Sequence, residues 1–103
     1  MDALEVESVR QRLFAANGGY EIVHNSPGLE VGVYALVAPE PDRQQPHEDD
    51  EVYIVLEGSG TLQVEDEEID LVEGQAMFVA AHAEHRFTAY ERLSLLVIFT
   101  RPT

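Results

Sequence analysis

A chain of 103 residues is sized for one domain, close to the limit at which a single core is self-sufficient. Its 20 acidic and 6 basic residues give a formal charge of −14, which sets aside nucleic acid and anionic membrane as partners, since both would repel it. Cysteine is absent, excluding disulfides, thiolate zinc sites and cysteine nucleophiles together, while 45% hydrophobic residues is a globular content.

No apolar run approaches the roughly 18 residues of a membrane helix. The start, Met1-Asp2-Ala3-Leu4-Glu5, lacks the basic region and apolar core of a signal peptide, so a cytoplasmic protein is expected. Val6, Val9, Leu13 and Ala16 recur at helical spacing and predict one amphipathic helix, with Asp2 as its cap and Asn17-Gly18-Gly19 as its stop. A helix this short cannot bury its own stripe. Residues 1–19 are therefore expected to pack on a β domain spanning 20–103.

After Gly19 the pattern changes to strands. β-rich runs at 20–24 and 29–37 flank the turn Asn25-Ser26-Pro27-Gly28. A polar, proline-bearing stretch, 39–50, reads as a loop long enough to be functional. Further runs at 51–57, 61–64, 69–72, 76–80, 86–89 and 93–100 bring the count to about eight short strands with glycine-rich turns. That is the signature of an all-β antiparallel barrel or sandwich, because no helical crossover is available for parallel pairing. The acidic tip Glu65-Asp66-Glu67-Glu68 reads as a solvated hairpin turn.

Of the four histidines, His24 reads as an ordinary strand residue and His82 as a surface turn residue. His47 precedes Glu51 by four positions, an even spacing that puts both on one face of an extended strand, together with Gln45. A straight strand would hold His47 and Glu51 about 13 Å apart, too far for one ion, so a bend between them is required. Tyr53 shares Glu51's parity and should point inward, and Phe78 and Phe87 are expected to give apolar lining. Val52, Ile54 and Leu56 lie on the opposite face, and the run 93–99 is apolar on both faces. Some of that surface should lie under the helix and the remainder suggests a homodimer.

From Gln45 to Ala89 the chain resembles the cupins, a family of small double-stranded β-helix (jelly-roll) barrels. Gln45-Pro46-His47, three residues, Glu51, six residues and Gly58 follow the family's first motif, with Gln45 where a histidine is usual. Gly74, Ala80, His82 and His85 follow the second, with Ala80 and His82 in place of proline and glycine and Ala89 where asparagine is common. The resemblance implies a divalent transition metal (Fe, Mn, Ni, Zn or Co) held by His47, Glu51 and His85, with Gln45 at the fourth place. It further implies a small-molecule pocket, chemistry of the dioxygenase or isomerase type on a small oxygenated compound, and dimerisation. The alternative reading is a non-catalytic small-ligand binder or sensor with a degenerate metal site, marked by Gln45.

Overall fold

The structure, a computed structural model, describes residues 3–100. One helix, α1 (Val6–Ala15), leads into eight strands: β1 (Gly19–Ser26), β2 (Leu29–Val37), β3 (Asp50–Glu57), β4 (Ser59–Val64), β5 (Glu67–Val72), β6 (Ala76–Val79), β7 (His85–Tyr90) and β8 (Arg92–Thr100). They form a five-stranded sheet of order β1-β2-β8-β3-β6 and a three-stranded sheet of order β5-β4-β7, antiparallel throughout. The all-β architecture with a helical lead-in is the one expected from the sequence. Among the described residues no helix is long and apolar enough to cross a membrane.

The core lies between the sheets and follows from strand parity. Tyr53 and Val55 of β3 and Leu93, Leu95 and Val97 of β8 turn inward, to meet Leu62 of β4, Leu71 of β5 and Phe87 of β7. In that register Glu51 of β3 stands on the inner face opposite Phe99 of β8, one step beyond the Tyr53–Val97 pair. The chain passes between the sheets at Gly58, where φ is +89° and a Cβ would sit 2.2 Å from the Arg92 carbonyl oxygen. No other residue fits there without moving backbone, which explains the glycine that ends the first motif.

α1 covers the outer face of the large sheet. Val9 and Leu13 pack on Val33 and Ala35 of β2, with Leu56, Leu96 and Phe14 around them. Arg10 pairs with Glu57 at 3.1 Å, and the Arg92 guanidinium lies 4.1 Å from the Phe14 ring centroid. The helix is shorter than its stripe suggested. Its N-cap is Glu5, without a side-chain cap bond, and Asp2 lies outside the described residues. Ala16 falls beyond the last turn and is exposed, because Asn17 enters the left-handed region (φ 67°) and the Gly18 N–H bonds back to the Leu13 carbonyl.

The acidic tip is also shorter than expected. Glu67 and Glu68 pair with Val64 and Gln63 as part of β5, so only Glu65 and Asp66 turn. Part of the outer apolar surface stays uncovered. Phe78 of β6, Val52 of β3 and Ile98 of β8 form one cross-strand row, with Phe78 58% exposed.

Residues 38–49, between β2 and β3, are held down by the buried carboxylate of Asp42. Its Oδ1 accepts from the Tyr34 hydroxyl (2.7 Å) and the Gln44 N–H (3.3 Å); its Oδ2 accepts from the Phe87 N–H (2.8 Å) and the Gln44 side-chain amide. Four donors on two oxygens satisfy a charge that burial would otherwise penalise. Both oxygens take a backbone N–H, so neither orientation of an asparagine amide avoids setting a donor against a donor. Asp42→Asn should therefore lower unfolding free energy by about 2 kcal/mol or more, measured by urea denaturation; a variant as stable as the parent would contradict this anchoring.

Candidate metal centre

Three segments converge at one end of the core. Glu51, the second residue of β3, carries its carboxylate inward and is 1% exposed. His47 lies not on a strand but in the preceding loop, and a bend at residues 48–49 folds it back over Glu51. The bend that strand geometry required is present, and it removes the 13 Å separation of a straight strand. His85 opens β7 in the opposite sheet. Two hydrogen bonds tie the segments that deliver the imidazoles, from the His82 N–H to the His47 carbonyl (2.8 Å) and from the Ala81 N–H to Asp50 Oδ1 (2.9 Å).

His82 holds this turn with a φ of +68°, the left-handed conformation that glycine adopts freely and other residues reach at about 1–2 kcal/mol. The departures at Ala80 and His82 therefore leave the turn able to present His85. His82 itself is exposed, as read from the sequence. His24 likewise stands apart, its Nε2 2.9 Å from Ser26 Oγ beside a bulge in β1.

His47 Nδ1 lies 3.0 Å from the Asp49 carbonyl oxygen and His85 Nδ1 2.7 Å from that of Ala83. A carbonyl only accepts, so each Nδ1 carries the proton, and a neutral ring is left with a lone pair on Nε2. Both Nε2 atoms point at Glu51 Oε1, from 3.0 Å in His47 and 2.9 Å in His85. The His85 contact is close but out of line for a hydrogen bond, and Glu51 Oε2 is also buried without a partner. All the potential ligand atoms lie within 4.8 Å of one another.

Three acceptors facing one point require positive charge between them, either a proton or a metal ion. Two imidazoles and a carboxylate suit a divalent transition metal, and carbonyl-anchored Nδ1–H groups are the outer contacts that orient such ligands. The donor set thus fits a metal. In its absence burial would lower the His85 pKa, yet the adjoining Glu51 carboxylate, the Ala83 carbonyl and the Asp42 charge hold it above its ordinary 6.5.

The surroundings differ from expectation in several places. Gln45 is exposed at the lip, whereas its neighbour Gln44 turns in, accepting from the Tyr53 hydroxyl and donating to Asp42. Tyr53 is fully buried beneath the site, its ring 6.1 Å from that of His85 and 5.3 Å from that of Phe87. Burial first, and then the Glu51 charge, raise the pKa of its phenol and keep it protonated. Phe87 is likewise core.

Phe78 does not line the site at all. It pairs with Val52 on the outward-facing parity and lies on the solvent side of edge strand β6, so its assignment to the pocket is corrected. Arg86 is exposed, as its alternation with His85 implied.

The apolar wall comes instead from Tyr20, Tyr34, Val97 and Phe99, which with His47 and Glu51 line an open cavity of about 370 Å³. A second opening of about 250 Å³ reaches His85 from the other side, past Gln63, Glu65, Glu84 and Arg86. Sequence reasoning missed Asp42, Gln44, Tyr20 and Tyr34. Only strand pairing, which carries β3 through β8 to β2 and β1, puts the two tyrosines beside the site.

Comparison with known proteins agrees with this geometry. Residues 33–99 match the cupin domain. An uncharacterized protein of Streptomyces coelicolor is 33% identical over 103 residues, covering 99% of this chain and 98% of that one. The crystal structure of TT1209 from Thermus thermophilus superposes with a TM-score of 0.82 at 28% identity, over 99% of this chain and all of the other (100%). KdgF from Halomonas sp. shares the fold, with a TM-score of 0.72 at 24% identity over 84% and 82% of the two chains. The match across the two motif regions and the relative aligned along almost the whole chain lead to one conclusion: this chain belongs to the cupin family.

Proposed function

We propose that the protein is a metal-binding cupin in which His47, Glu51 and His85 hold one divalent transition metal at the floor of a small-molecule cavity. The observation that carries this reading is the convergence of two imidazole lone pairs and a buried carboxylate, each ring locked in the required tautomer by a carbonyl on its far nitrogen. Gln45, at the place of the family's first histidine, is exposed at the cavity lip and serves as a fourth, weaker contact, to the ion or to a water on it. When bound, a divalent ion with one carboxylate ligand supplies a net positive Lewis-acid centre for an anionic oxygen. The protein's own residues bind and orient the organic ligand: the apolar wall excludes water on one side and Gln44, fixed by Asp42 and Tyr53, presents an amide on the other. The reaction class supported is that of cupin dioxygenases and isomerases acting on a small oxygenated compound.

Protein purified without added metal should carry close to one equivalent of a transition metal, and His47→Ala and His85→Ala should each reduce its affinity at least about tenfold. Elemental analysis with competitive chelation measures both, and metal content unchanged in the two variants would remove the site.

The pH dependence of stability should reverse with metal. In the metal-free protein the raised His85 pKa adds stability that is complete below the unfolded value of about 6.5 and is lost as pH rises through the folded value. Metal needs the unprotonated Nε2, so stabilisation by metal should instead grow with pH. Melting temperatures from about pH 6 to pH 8, with and without metal and referenced to His85→Gln, should slope in opposite directions. A metal-free slope that His85→Gln leaves unchanged would contradict the assignment.

The uncovered row Phe78–Val52–Ile98, ending on an edge strand, supports a homodimer formed through that face. Light scattering should give twice the 11.5 kDa chain mass, and Phe78→Glu should return the monomer; a parent that is already 11.5 kDa in solution would refute it.

A further inference from the structure

The wall of the cavity opposite Glu51 is built in an unusual way. Tyr20 on β1 lies across β2 at Gly32: a Cβ at Gly32 would sit 2.2 Å from the phenol oxygen and 2.3 Å from the ring carbon bearing it. The glycine is a notch into which the ring lies flat. Gly32 also stands on the inner face, paired with Val97 of β8 on one side and Ile22 of β1 on the other. The ring is held at its far end by a hydrogen bond from its hydroxyl to Glu30 Oε2 (2.7 Å). On its flank it meets Tyr34 edge to face, with centroids 6.0 Å apart and an interplanar angle of 80°. Phe99 extends the aromatic surface and itself packs edge to face on the His47 ring, centroids 4.9 Å apart. Three aromatic side chains and Val97 thus form a continuous surface that ends at the imidazole and carboxylate of the metal centre.

The cleft lined by this surface is open to solvent and measures about 370 Å³, near the lower end for organic-ligand pockets, a size that suits a single ring with small substituents. Fixed π faces and edges favour an aromatic guest over an aliphatic chain of equal size, since ring–ring contact adds to area burial. His47 and Glu51 lie at the floor, where ligand oxygens would reach the ion, while Glu30, Arg43, Gln44 and Gln45 complete the lining.

We infer, on the metal-centre reading above, that the ligand is a monocyclic aromatic compound whose oxygens coordinate the metal while its ring packs against Tyr20, Tyr34 and Phe99, and that Tyr20 seated on Gly32 sets this preference. Mandelate and lactate share charge and chelating head and differ only by a phenyl ring in place of a methyl group, so their affinity ratio reads the wall separately from the metal.

The protein is loaded with zinc, which is redox-silent, its metal content measured, and both acids titrated by calorimetry. Mandelate should bind at least tenfold more tightly than lactate. Tyr20→Ala, a change on a partly exposed edge strand, should erase most of that ratio while the metal content stays that of the parent. Gly32→Ala, which drives the ring out of its notch, should act in the same direction. Tyr20→Phe, which keeps the ring but loses the bond to Glu30, should retain the preference.

Equal affinity for the two acids in metal-loaded protein, failure of both to bind it, or a ratio unchanged in Tyr20→Ala overturns the aromatic assignment and leaves the metal centre standing. Protein that takes up no zinc overturns the metal reading, and this inference with it, before any acid is added.

Discussion

The carboxylate of Glu51 is the constraint around which the rest of this molecule is arranged. It lies in the interior with one oxygen unpartnered and the other facing two imidazole nitrogens. A carboxylate removed from water without compensation costs several kcal/mol. Each histidine commits its Nδ1–H to a backbone carbonyl, so a neutral ring has no N–H left for Glu51, and donation from Nε2 requires a second proton and a charged ring. Either ring could turn only by abandoning that bond. The site therefore calls for positive charge, either a proton on an imidazole or a metal ion, and a buried cluster with that demand is the physical mark of a candidate functional site.

A second buried carboxylate, Asp42, shows what the same group looks like when its role is structural. It accepts from two backbone N–H groups, a phenol and an amide, and leaves neither oxygen unpartnered. Through it the loop that delivers His47 is fastened to β2 and β7, and through Gln44 to Tyr53 beneath the metal centre. The two carboxylates are thus complementary. One is saturated and makes the scaffold rigid; the other is left short of donors, and that rigidity keeps its neighbours from relaxing into the gap. Displacements of about 1 Å from productive geometry weaken metal ligation and substrate orientation alike, so the saturated acid supports the unsaturated one.

Much of this was legible from the chain alone because the signals were local. Alternation located all eight strands to within a few residues, and the four-residue interval from His47 to Glu51 together with the strand rise demanded a bend that the structure supplies at 48–49. What escaped depended on pairing between distant strands. Tyr20 and Glu51 are 31 positions apart, and nothing in either neighbourhood states that β1, β2, β8 and β3 lie side by side. Phe78 failed for the related reason that its face follows from pairing with Val52, which also points outward, and not from its aromatic character. Asp42 sat in a polar, proline-rich stretch where one more acidic residue carries no local mark of burial. The choice between Gln44 and Gln45 was a question of loop direction, which spacing does not encode.

Charge connects the site to the molecule as a whole. A formal charge of −14 on 103 residues raises the local concentration of cations and opposes anions, with a reach of about 8 Å at physiological ionic strength. Any cation is drawn in by that field, yet the exposed acids share it widely; what distinguishes the centre is that its three candidate ligand atoms lie within 4.8 Å of one another, with Glu51 and His85 buried and His47 half-buried. An anionic ligand meets the opposite situation. It gains at the ion but approaches through a repulsive potential with Glu30 beside the cavity. Affinity resting on charge alone would be poorly supported here, whereas contact between an apolar ring and Tyr20, Tyr34 and Phe99 is unaffected by the field. On the proposed reading, the acidic surface and the aromatic wall therefore favour the same class of guest: one whose oxygen would meet a metal at His47, Glu51 and His85 and whose body would meet the tyrosines.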